Sequence, residues 1–474
     1  MWSRRQLRER EPMVTQQIEH EQQTGGQDFP RFWDEARETM SREARDEVIL
    51  GRIKHQLHYV YNELPFYRRH YDAHDFHPSD VRTLEDFARK VPIVTKKMLV
   101  ADQQENPPFG SYTSTTNMRD IARIHGSSGT SGVPTLYAVS QKDWQRAADV
   151  HAMAQWCGGV RPDDLVQVGF PFGLFFGGWG VIQGVERIGA GLFPLGVAES
   201  EKHLEFIQRL RPTVFSGTPS YCMHLLSAAH DRGLDLRESS VKTLLVGGEP
   251  GGSLPGTRQA LEEGWGAIVI DAGSTSEMYP FQTNVGCEAK SGTHIISDEV
   301  YPEIVDKHDF GSLLSDNQRG AVVYTHLWRE SQPMIRFAPG DESYMTNEPC
   351  ACGRTYPRFP EGILGRLDDM LVIRGANIFP SAIETGLRSV PGFGPEFEIR
   401  ISRPSAMDEI LVRAELDPTI IPDHADALRS LQQQGEATLK RITGIRVPVE
   451  VIQPGTLAET VFKARRVVDE RGRD

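Results

Sequence analysis

VKTLLVGG at residues 241–248 is an apolar run of strand length that ends in two glycines. Three similar runs surround it: LVQVGF at 165–170, TVFSG at 213–217 and AIVIDAG at 267–273. Helical patterns lie between them. Strands that alternate with helices predict an α/β domain with a largely parallel sheet. Ligands of such sheets bind beyond the carboxyl ends of the strands, so the glycine-containing turns mark the expected site.

The two ends of the chain have different patterns. Residues 1–120 are polar and helical in pattern, with few strand signals. Near the other end, EFEIRIS (396–402), ILVRAEL (410–416) and VPVEVI (447–452) alternate apolar with polar residues, and a helical spacing lies between the last two. We therefore expect an α/β fold with a large N-terminal domain of layered sheets and helices, residues 1–365, and a small α+β C-terminal domain, residues 366–474.

Composition excludes several classes of protein. The 474 residues carry 52 basic and 65 acidic side chains, a net charge of −13, which disfavours generic nucleic-acid binding. No apolar run reaches the roughly 18 residues of a membrane span. The N-terminal MWSRRQLREREP is charged and lacks the apolar core of a signal peptide, so we expect a cytoplasmic protein. Five cysteines cannot all pair, which argues against a disulfide scaffold.

HGSSGTSGVPT at 125–135 is the strongest local motif. Glycines let a backbone approach an anion closely, while hydroxyls and amides donate hydrogen bonds to phosphate oxygens. No Gly-Lys-Ser/Thr follows, so the motif is not a Walker loop. On composition alone, a phosphate-binding loop and a flexible linker are both open.

The motif SSGTSGVPT resembles the Ser/Thr/Gly loop of the adenylate-forming superfamily, which includes acyl-CoA synthetases, luciferases and nonribosomal peptide adenylation domains. Within that superfamily the chain is most similar to the phenylacetate–CoA ligase family. The family's further motifs resemble, in the same order, FGLFFGGWGV (172–181), GTPSY (217–221), GGEP (247–250), IRFAPGD (335–341) and GRLDDMLVIRGANIFPSAIE (365–384).

This resemblance implies a role for each matching residue. The phosphates of ATP would be bound by Ser127, Ser128, Gly129, Thr130, Ser131 and Gly132. Glu277 would hold Mg²⁺, and Ser276 would donate to the α-phosphate. The ribose would bind Asp341, and the rest of the nucleotide Gly248, Glu249, Pro250 and Arg366. Asp368 would be the hinge of a mobile C-terminal domain, and Lys463 the catalytic cation that this domain delivers.

Two positions depart from the family pattern. Gly273 stands where the family has a tyrosine that packs on adenine or the acyl group, and Phe462 stands where a glycine usually precedes the catalytic lysine. Without the resemblance, the spacing alone favours an ordinary surface glutamate at Glu277, while Asp341 is equally well a turn residue and Lys463 part of a solvated basic helix.

The acyl group is expected to bind in an aromatic pocket. Phe175, Phe176, Trp179, Gly217, Tyr221 and Met278 are the candidate wall residues, and ordinary core packing is the alternative for some of them. The resemblance implies an aryl or arylacetic acid, without choosing among phenylacetate, benzoate, indoleacetate and other acids.

Four residues form a candidate structural zinc site. Cys287 and His294 lie in CEAKSGTH, and Cys350 and Cys352 lie in CACGRTYPR. Three thiolates and one imidazole make a closed tetrahedral zinc set. Some relatives of the phenylacetate–CoA ligase family resemble the chain here, with zinc at matching residues. Unrelated reduced thiols beside a surface histidine are the alternative.

The implied reaction has two steps. The carboxylate attacks the α-phosphate of MgATP and releases pyrophosphate, and the thiol of CoA then attacks the acyl adenylate and releases AMP. The expected partners are an aromatic carboxylic acid, ATP and CoA, with no nucleic acid and no membrane, and a homodimer is consistent with the resemblance. An amine or carrier-protein acceptor, and a non-catalytic aryl-acid-binding relative, remain alternatives.

Overall fold

The computed structural model describes residues 29–114, 118–127, 135–174, 176–273, 275–280, 282–367, 371–373, 376–403, 408–417, 425–458 and 466–471. Residues Phe32–Asp474 form one compact unit. Among the described helices, none combines the length and the apolar character needed to cross a membrane.

The helices begin and end as follows: α1 Glu35–Glu38, α2 Arg42–Glu63, α3 Pro65–Asp72, α4 Leu84–Lys90, α5 Lys96–Glu105, α6 Gln141–Cys157, α7 Gly177–Ile188, α8 Ser200–Leu210, α9 Pro219–His230, α10 Pro255–Trp265, α11 Pro380–Arg388 and α12 Ala425–Thr443. Short 3-10 turns cover Pro78–Asp80, Met118–Asp120 and Leu236–Glu238.

The strands are β1 Val94–Thr95, β2 Ile121–Gly126, β3 Leu136–Ser140, β4 Leu165–Val168, β5 Gly191–Phe193, β6 Val214–Gly217, β7 Thr243–Gly247, β8 Ile268–Gly273, β9 Asn284–Gly286, β10 Thr293–Ile295, β11 Val300–Val305, β12 Gly320–His326, β13 Phe337–Ala338, β14 Asp341–Ser343, β15 Arg358–Phe359, β16 Gly365–Arg366, β17 Leu371–Ile373, β18 Ala376–Ile378, β19 Phe393–Ser402, β20 Glu409–Leu416, β21 Val449–Ile452 and β22 Val467–Asp469.

An eight-stranded sheet with the order β15-β10-β9-β8-β7-β6-β4-β5 contains all four apolar runs found in the sequence. Strands β5, β4, β6, β7 and β8 are parallel, as the alternation with helices predicted. Strand β8 then pairs antiparallel with β9, which carries the chain into the β9–β10 hairpin. The predicted α/β fold class is confirmed.

A second sheet has the order β1-β13-β12-β14-β16, with β11 also paired to β12. Its central strand β12 is buried along its whole length. Helix α2 packs beside this sheet because Ile49, Ile53, Leu57 and Val60 form one apolar stripe at helical spacing. The N-terminal region is therefore helical, as predicted, over the part that the structure describes from residue 29 onward, and it shares the core of this sheet.

The β2–β3 hairpin is a separate two-stranded unit. Its strands flank residues 127–135, which contain the candidate phosphate loop. In its register, His125 lies directly opposite Tyr137.

The C-terminal residues form a four-stranded sheet with the order β21-β20-β19-β22 and a hydrophobic core of their own with α11 and α12. The three predicted strands are present. The fourth, β22, was missed because its three residues follow a run of basic side chains that indicated a solvated helix. It pairs parallel with β19.

Candidate active site and cysteine–histidine cluster

The parallel strands β6, β7 and β8 each end in a glycine, Gly217, Gly247 and Gly273, at one edge of the eight-stranded sheet. After β6, the side chain of Thr218 accepts a hydrogen bond from the amide of Tyr221 and so caps α9. After β7, Gly248 adopts a φ of 88°, and Glu249 accepts a hydrogen bond from the amide of Ser220 at 2.8 Å. The predicted adenine turn is thus fixed against the start of α9.

Of the predicted phosphate loop, the structure describes only the two ends. Residues 128–132 lie outside the described residues. Ser127 is buried, and its hydroxyl lies 3.1 Å from the hydroxyl of Thr135. The amide of Ser127 also donates to the carbonyl of Thr135 at 3.0 Å. The hairpin therefore brings the two ends of the loop together, whereas phosphate binding by Ser127 stays a prediction.

Glu277, the predicted Mg²⁺ ligand, is a buried residue with cationic and hydroxyl partners. Its Oε1 accepts a hydrogen bond from the hydroxyl of Tyr137 at 3.0 Å and lies 3.2 Å from Nζ of Lys96. Its backbone carbonyl accepts from the guanidinium of Arg329 at 3.2 Å. The surface-residue alternative is excluded for Glu277, which is only 3% exposed. Ser276, its neighbour, is half-buried.

Sequence reasoning missed Lys96 and Tyr137. Lys96 belongs to a stretch, VPIVTKKML, that reads as a connector, and no local pattern distinguishes it from Lys97. Strand β1 pairs parallel with β13, with Val94 opposite Phe337, and α5 begins at Lys96 immediately after this contact. Only this long-range pairing brings Lys96 to Glu277.

The predicted ribose and nucleotide residues, Asp341 and Arg366, are direct partners on adjacent antiparallel strands. They belong to the six-stranded sheet, not to the sheet that carries Gly248. The two sheets approach each other at Gly362, which precedes β16. A Cβ added at Gly362 would stand 2.8 Å from the hydroxyl of Ser253, which follows β7. The segment that leads into the strand of Arg366 therefore passes beside the turn that contains Ser253.

The candidate acyl-pocket residues fall into two groups. Phe176 and Met278 are buried in one apolar cluster with Tyr137 and Tyr279. Tyr221 belongs to another cluster, and a Cβ placed on Gly217 would lie 3.7 Å from its ring. Trp179 is half-buried, and the guanidinium carbon of Arg123 lies 4.2 Å from the centroid of its ring. Phe175 lies outside the described residues, as do Asp368 and Lys463.

His125 is a further residue of the first group. Its ring stacks on Phe176 with centroids 4.0 Å apart, and its Nδ1 lies 3.3 Å from the carbonyl of Leu174. Burial lowers the pKa of His125 to about 4, so the imidazole is neutral at physiological pH. The sequence offered one signal for it, namely its position directly before the phosphate loop.

Cys287, His294, Cys350 and Cys352 come together as predicted. The four residues are buried, and their ligand atoms all lie within 4.8 Å of one another. The Sγ atoms of Cys287 and Cys350 are 3.8 Å apart, and Nε2 of His294 lies 3.2 Å from Sγ of Cys352. A tetrahedron with Zn–S bonds of about 2.3 Å has S···S edges of about 3.8 Å, so the donor set fits Zn²⁺.

The surroundings of the cluster also suit a metal centre. The Nδ1 of His294 faces the carbonyl of Tyr356 at 3.4 Å, which is the arrangement that orients a metal-binding imidazole.

Known proteins with related sequences define the family. The model of the AMP-binding enzyme family matches residues 29–325, and that of the AMP-binding enzyme C-terminal domain matches residues 375–471. Phenylacetate-coenzyme A ligase of Aromatoleum evansii is 33% identical over 443 residues, covering 92% of this chain and 98% of the relative. The enzyme of the same name from Escherichia coli K12 is 32% identical over 436 residues, covering 92% and 97%.

Among solved structures, 2-hydroxyisobutyryl-CoA ligase in its postadenylation state, in complex with 2-HIB-AMP, superposes with a TM-score of 0.89. It is 41% identical and covers 94% of this chain and 93% of the relative. The same enzyme in its thioesterification state, in complex with 2-HIB-AMP and CoA, gives a TM-score of 0.71 at 42% identity and equal coverage.

The chain therefore belongs to the AMP-binding enzyme family. Within that family it is an ATP-dependent acid–CoA ligase that forms an acyl adenylate, and the predicted reaction class is confirmed.

Proposed function

We propose that the chain activates an aryl or arylacetic acid and transfers the acyl group to CoA. The observation that carries this proposal is the apolar cluster of Phe176, Met278 and Tyr279 beside the carboxylate of Glu277. An apolar wall next to charged groups suits an acid whose acyl part is apolar and whose carboxylate reacts. The phenylacetate-coenzyme A ligases, at 32–33% identity, support the same substrate class.

A compact hydroxy acid is the second candidate substrate. The Nε2 atom of His125 is buried in this wall and has no hydrogen-bond partner in the described part of the chain. A neutral imidazole nitrogen in that position would accept a hydrogen bond from a substrate hydroxyl. The 41% identical relative is named for a hydroxylated acid, 2-hydroxyisobutyrate, which supports this alternative.

For the adenylation step we propose that residues 127–132 and Ser276 bind phosphate oxygens, that Asp341 binds the ribose, and that Gly248, Glu249, Pro250 and Arg366 bind the rest of the nucleotide. Glu277 would hold Mg²⁺, which offsets phosphate charge when bound. A single buried carboxylate fits this role because protein-bound Mg²⁺ commonly takes one or two carboxylates together with substrate phosphates. Lys96 and Tyr137 would fix the carboxylate of Glu277.

We further propose that residues 366–474 are a domain that turns about Asp368 and brings Lys463 to the reacting carboxylate. The C-terminal family model, matching residues 375–471, and the separate hydrophobic core support such a unit. One relative superposes on this chain with a TM-score of 0.89 in its postadenylation state and 0.71 in its thioesterification state, a difference between the two states that supports this proposal. A positive charge brought to the site would stabilise the negative charge that gathers during adenylation.

We also propose that Cys287, His294, Cys350 and Cys352 hold a structural Zn²⁺, because their spacing fits the ion. About one zinc per chain is expected on metal analysis. The predictions of a homodimer, of a cytoplasmic location and of no nucleic-acid partner stay predictions.

The test is pyrophosphate release with a panel of aryl, arylacetic and hydroxy acids, with and without CoA. The expected result is release with an aryl or arylacetic acid, turnover that needs CoA, and a large loss in Lys463→Ala. Lys440→Ala is the control, since Lys440 is an exposed lysine of the same domain. Release that does not depend on CoA would move the acceptor to an amine or a carrier protein. Selective release with hydroxy acids would establish the second candidate.

A further inference from the structure

A Cys₃His zinc centre is anionic, since three thiolates, one neutral imidazole and one Zn²⁺ sum to a single negative charge. Here the four ligands are buried. An isolated charge inside a protein is costly unless a partner of opposite sign compensates it. The cation nearest in sequence is Arg354, two residues beyond Cys352.

Arg354 lies between a ligand of the cluster and a carboxylate from the other end of the chain. Its guanidinium makes a side-chain hydrogen bond with Cys352. Its Nε donates to Oε2 of Glu38 at 2.5 Å, and the two side chains are only 2% and 1% exposed. Glu38, at the end of helix α1, is thus joined to the cluster through a single buried arginine.

Glu38 is itself held in place by backbone groups. Its Oε1 accepts from the amides of Trp33 and Asp34 at 2.7 and 2.9 Å, and its carbonyl accepts from the amide of Thr355 at 2.9 Å. Arg45 of helix α2 adds two hydrogen bonds of 2.8 Å to Thr355. The turn that carries two of the four cluster ligands is therefore bound to α1 and α2 over several contacts.

We propose that Arg354 and Glu38 form the outer layer of the metal centre: Arg354, which bridges Cys352 and Glu38, orients Cys352 and reduces the negative charge there, and Glu38 positions Arg354. A residue some 250 positions before the first ligand in sequence thereby controls metal retention. This inference rests on the proposed zinc site.

The experiment follows zinc transfer from the purified full-length protein to a chromophoric chelator. Outer-layer partners of metal ligands typically change metal affinity by about tenfold to a hundredfold. We expect Glu38→Gln and Arg354→Gln each to release zinc at least about tenfold faster than the wild type. Arg354→Lys should recover part of the loss, because it keeps the charge but not the shape of the guanidinium.

Arg336→Gln is the matched control, since it breaks another buried arginine–carboxylate pair, with Glu303 at 3.1 Å, away from the cluster. Its zinc release should equal that of the wild type. A second readout uses unchanged protein: chelation should raise hydrogen exchange at the amides of Trp33 and Asp34, which donate to Glu38.

If the wild type carries zinc and both Glu38→Gln and Arg354→Gln release it at the wild-type rate, the outer-layer role is overturned. The zinc site itself is not affected by that result. Amides of Trp33 and Asp34 that keep their protection after chelation would argue against the role in the same way. Wild-type protein that never carries zinc would overturn the metal site, and this inference with it.

Discussion

Lys96 provides positive charge to a buried carboxylate that the family resemblance places in the adenylation step. Its Nζ lies 3.2 Å from Oε1 of Glu277, the same oxygen that accepts from Tyr137. Lys96→Ala should therefore lower kcat/KM for pyrophosphate release by about tenfold to a hundredfold, the usual effect of losing a residue that holds a metal-binding side chain in place. Steady-state pyrophosphate release measures the loss.

Three comparisons separate this positioning role from general destabilisation. Thioester formation from a preformed acyl adenylate should keep its rate in Lys96→Ala, because Glu277 is assigned to the first step alone, and Lys96→Arg should retain most of the first step. Lys97→Ala, which alters the exposed neighbour, should match the wild type. Equal loss in both half-reactions would contradict the role of Lys96.

The residues that the sequence predicted well are those whose chemistry is visible over a short stretch. Cys287 with His294, and Cys350 with Cys352, stand out because thiols are rare in this chain, and they do come together. Lys96, Tyr137 and His125 could not be predicted with the same ease. A lone lysine, tyrosine or histidine is common in any sequence, and only pairing across long chain distances gives these three their surroundings.

At the scale of elements, helices α6 and α7 are packed too closely to accept a larger side chain. A Cβ added at Gly184 of α7 would overlap the side-chain amide of Gln155 and stand 2.8 Å from the carbonyl oxygen of His151. Gly184→Ala should cost about 1–3 kcal/mol of stability, because overpacking forces the two helices apart. The melting temperature should fall by several degrees in differential scanning fluorimetry.

Gly51→Ala is the control for this prediction. Gly51 is also inside a helix, α2, but a Cβ there meets nothing within 4 Å. Alanine is the better helix former, so this change should stabilise the protein by about 0.5–1 kcal/mol. A melting temperature that falls equally in both variants would show that close packing of α6 and α7 is not the cause.

The elements also show where prediction from sequence reaches its limit. Long apolar runs predicted the parallel strands of the large sheet, because continuous burial leaves a clear pattern. Strands β1 and β22, of two and three residues, carry no such pattern. Yet β1 places the start of α5 at the candidate site, so the contribution of the N-terminal region to that site could be seen only in three dimensions.

For the molecule as a whole, buried histidines connect stability to pH. His125, His151 and His203 are at most 3% exposed, and burial lowers the pKa of each to about 4. An unfolded chain would titrate these groups near pH 6.5. Between pH 6.5 and pH 4 the unfolded state therefore binds more protons than the folded state, and the stability that these histidines contribute is lost as the pH falls through that window.

As the pH is lowered from 7 to 5, the free energy of unfolding should fall by about 2 kcal/mol for each of these histidines. Urea denaturation at pH 7, 6 and 5 measures the loss. In His203→Gln the free energy of unfolding should fall less between pH 7 and pH 5, by the amount that one histidine contributes. The reason is that glutamine takes up no proton on unfolding. His74→Gln, which changes an exposed histidine, should leave the pH dependence as it is in the wild type. A pH dependence that is the same in His203→Gln and in the wild type would show that His203 does not take up a proton when the protein unfolds, and would remove His203 as a source of acid sensitivity.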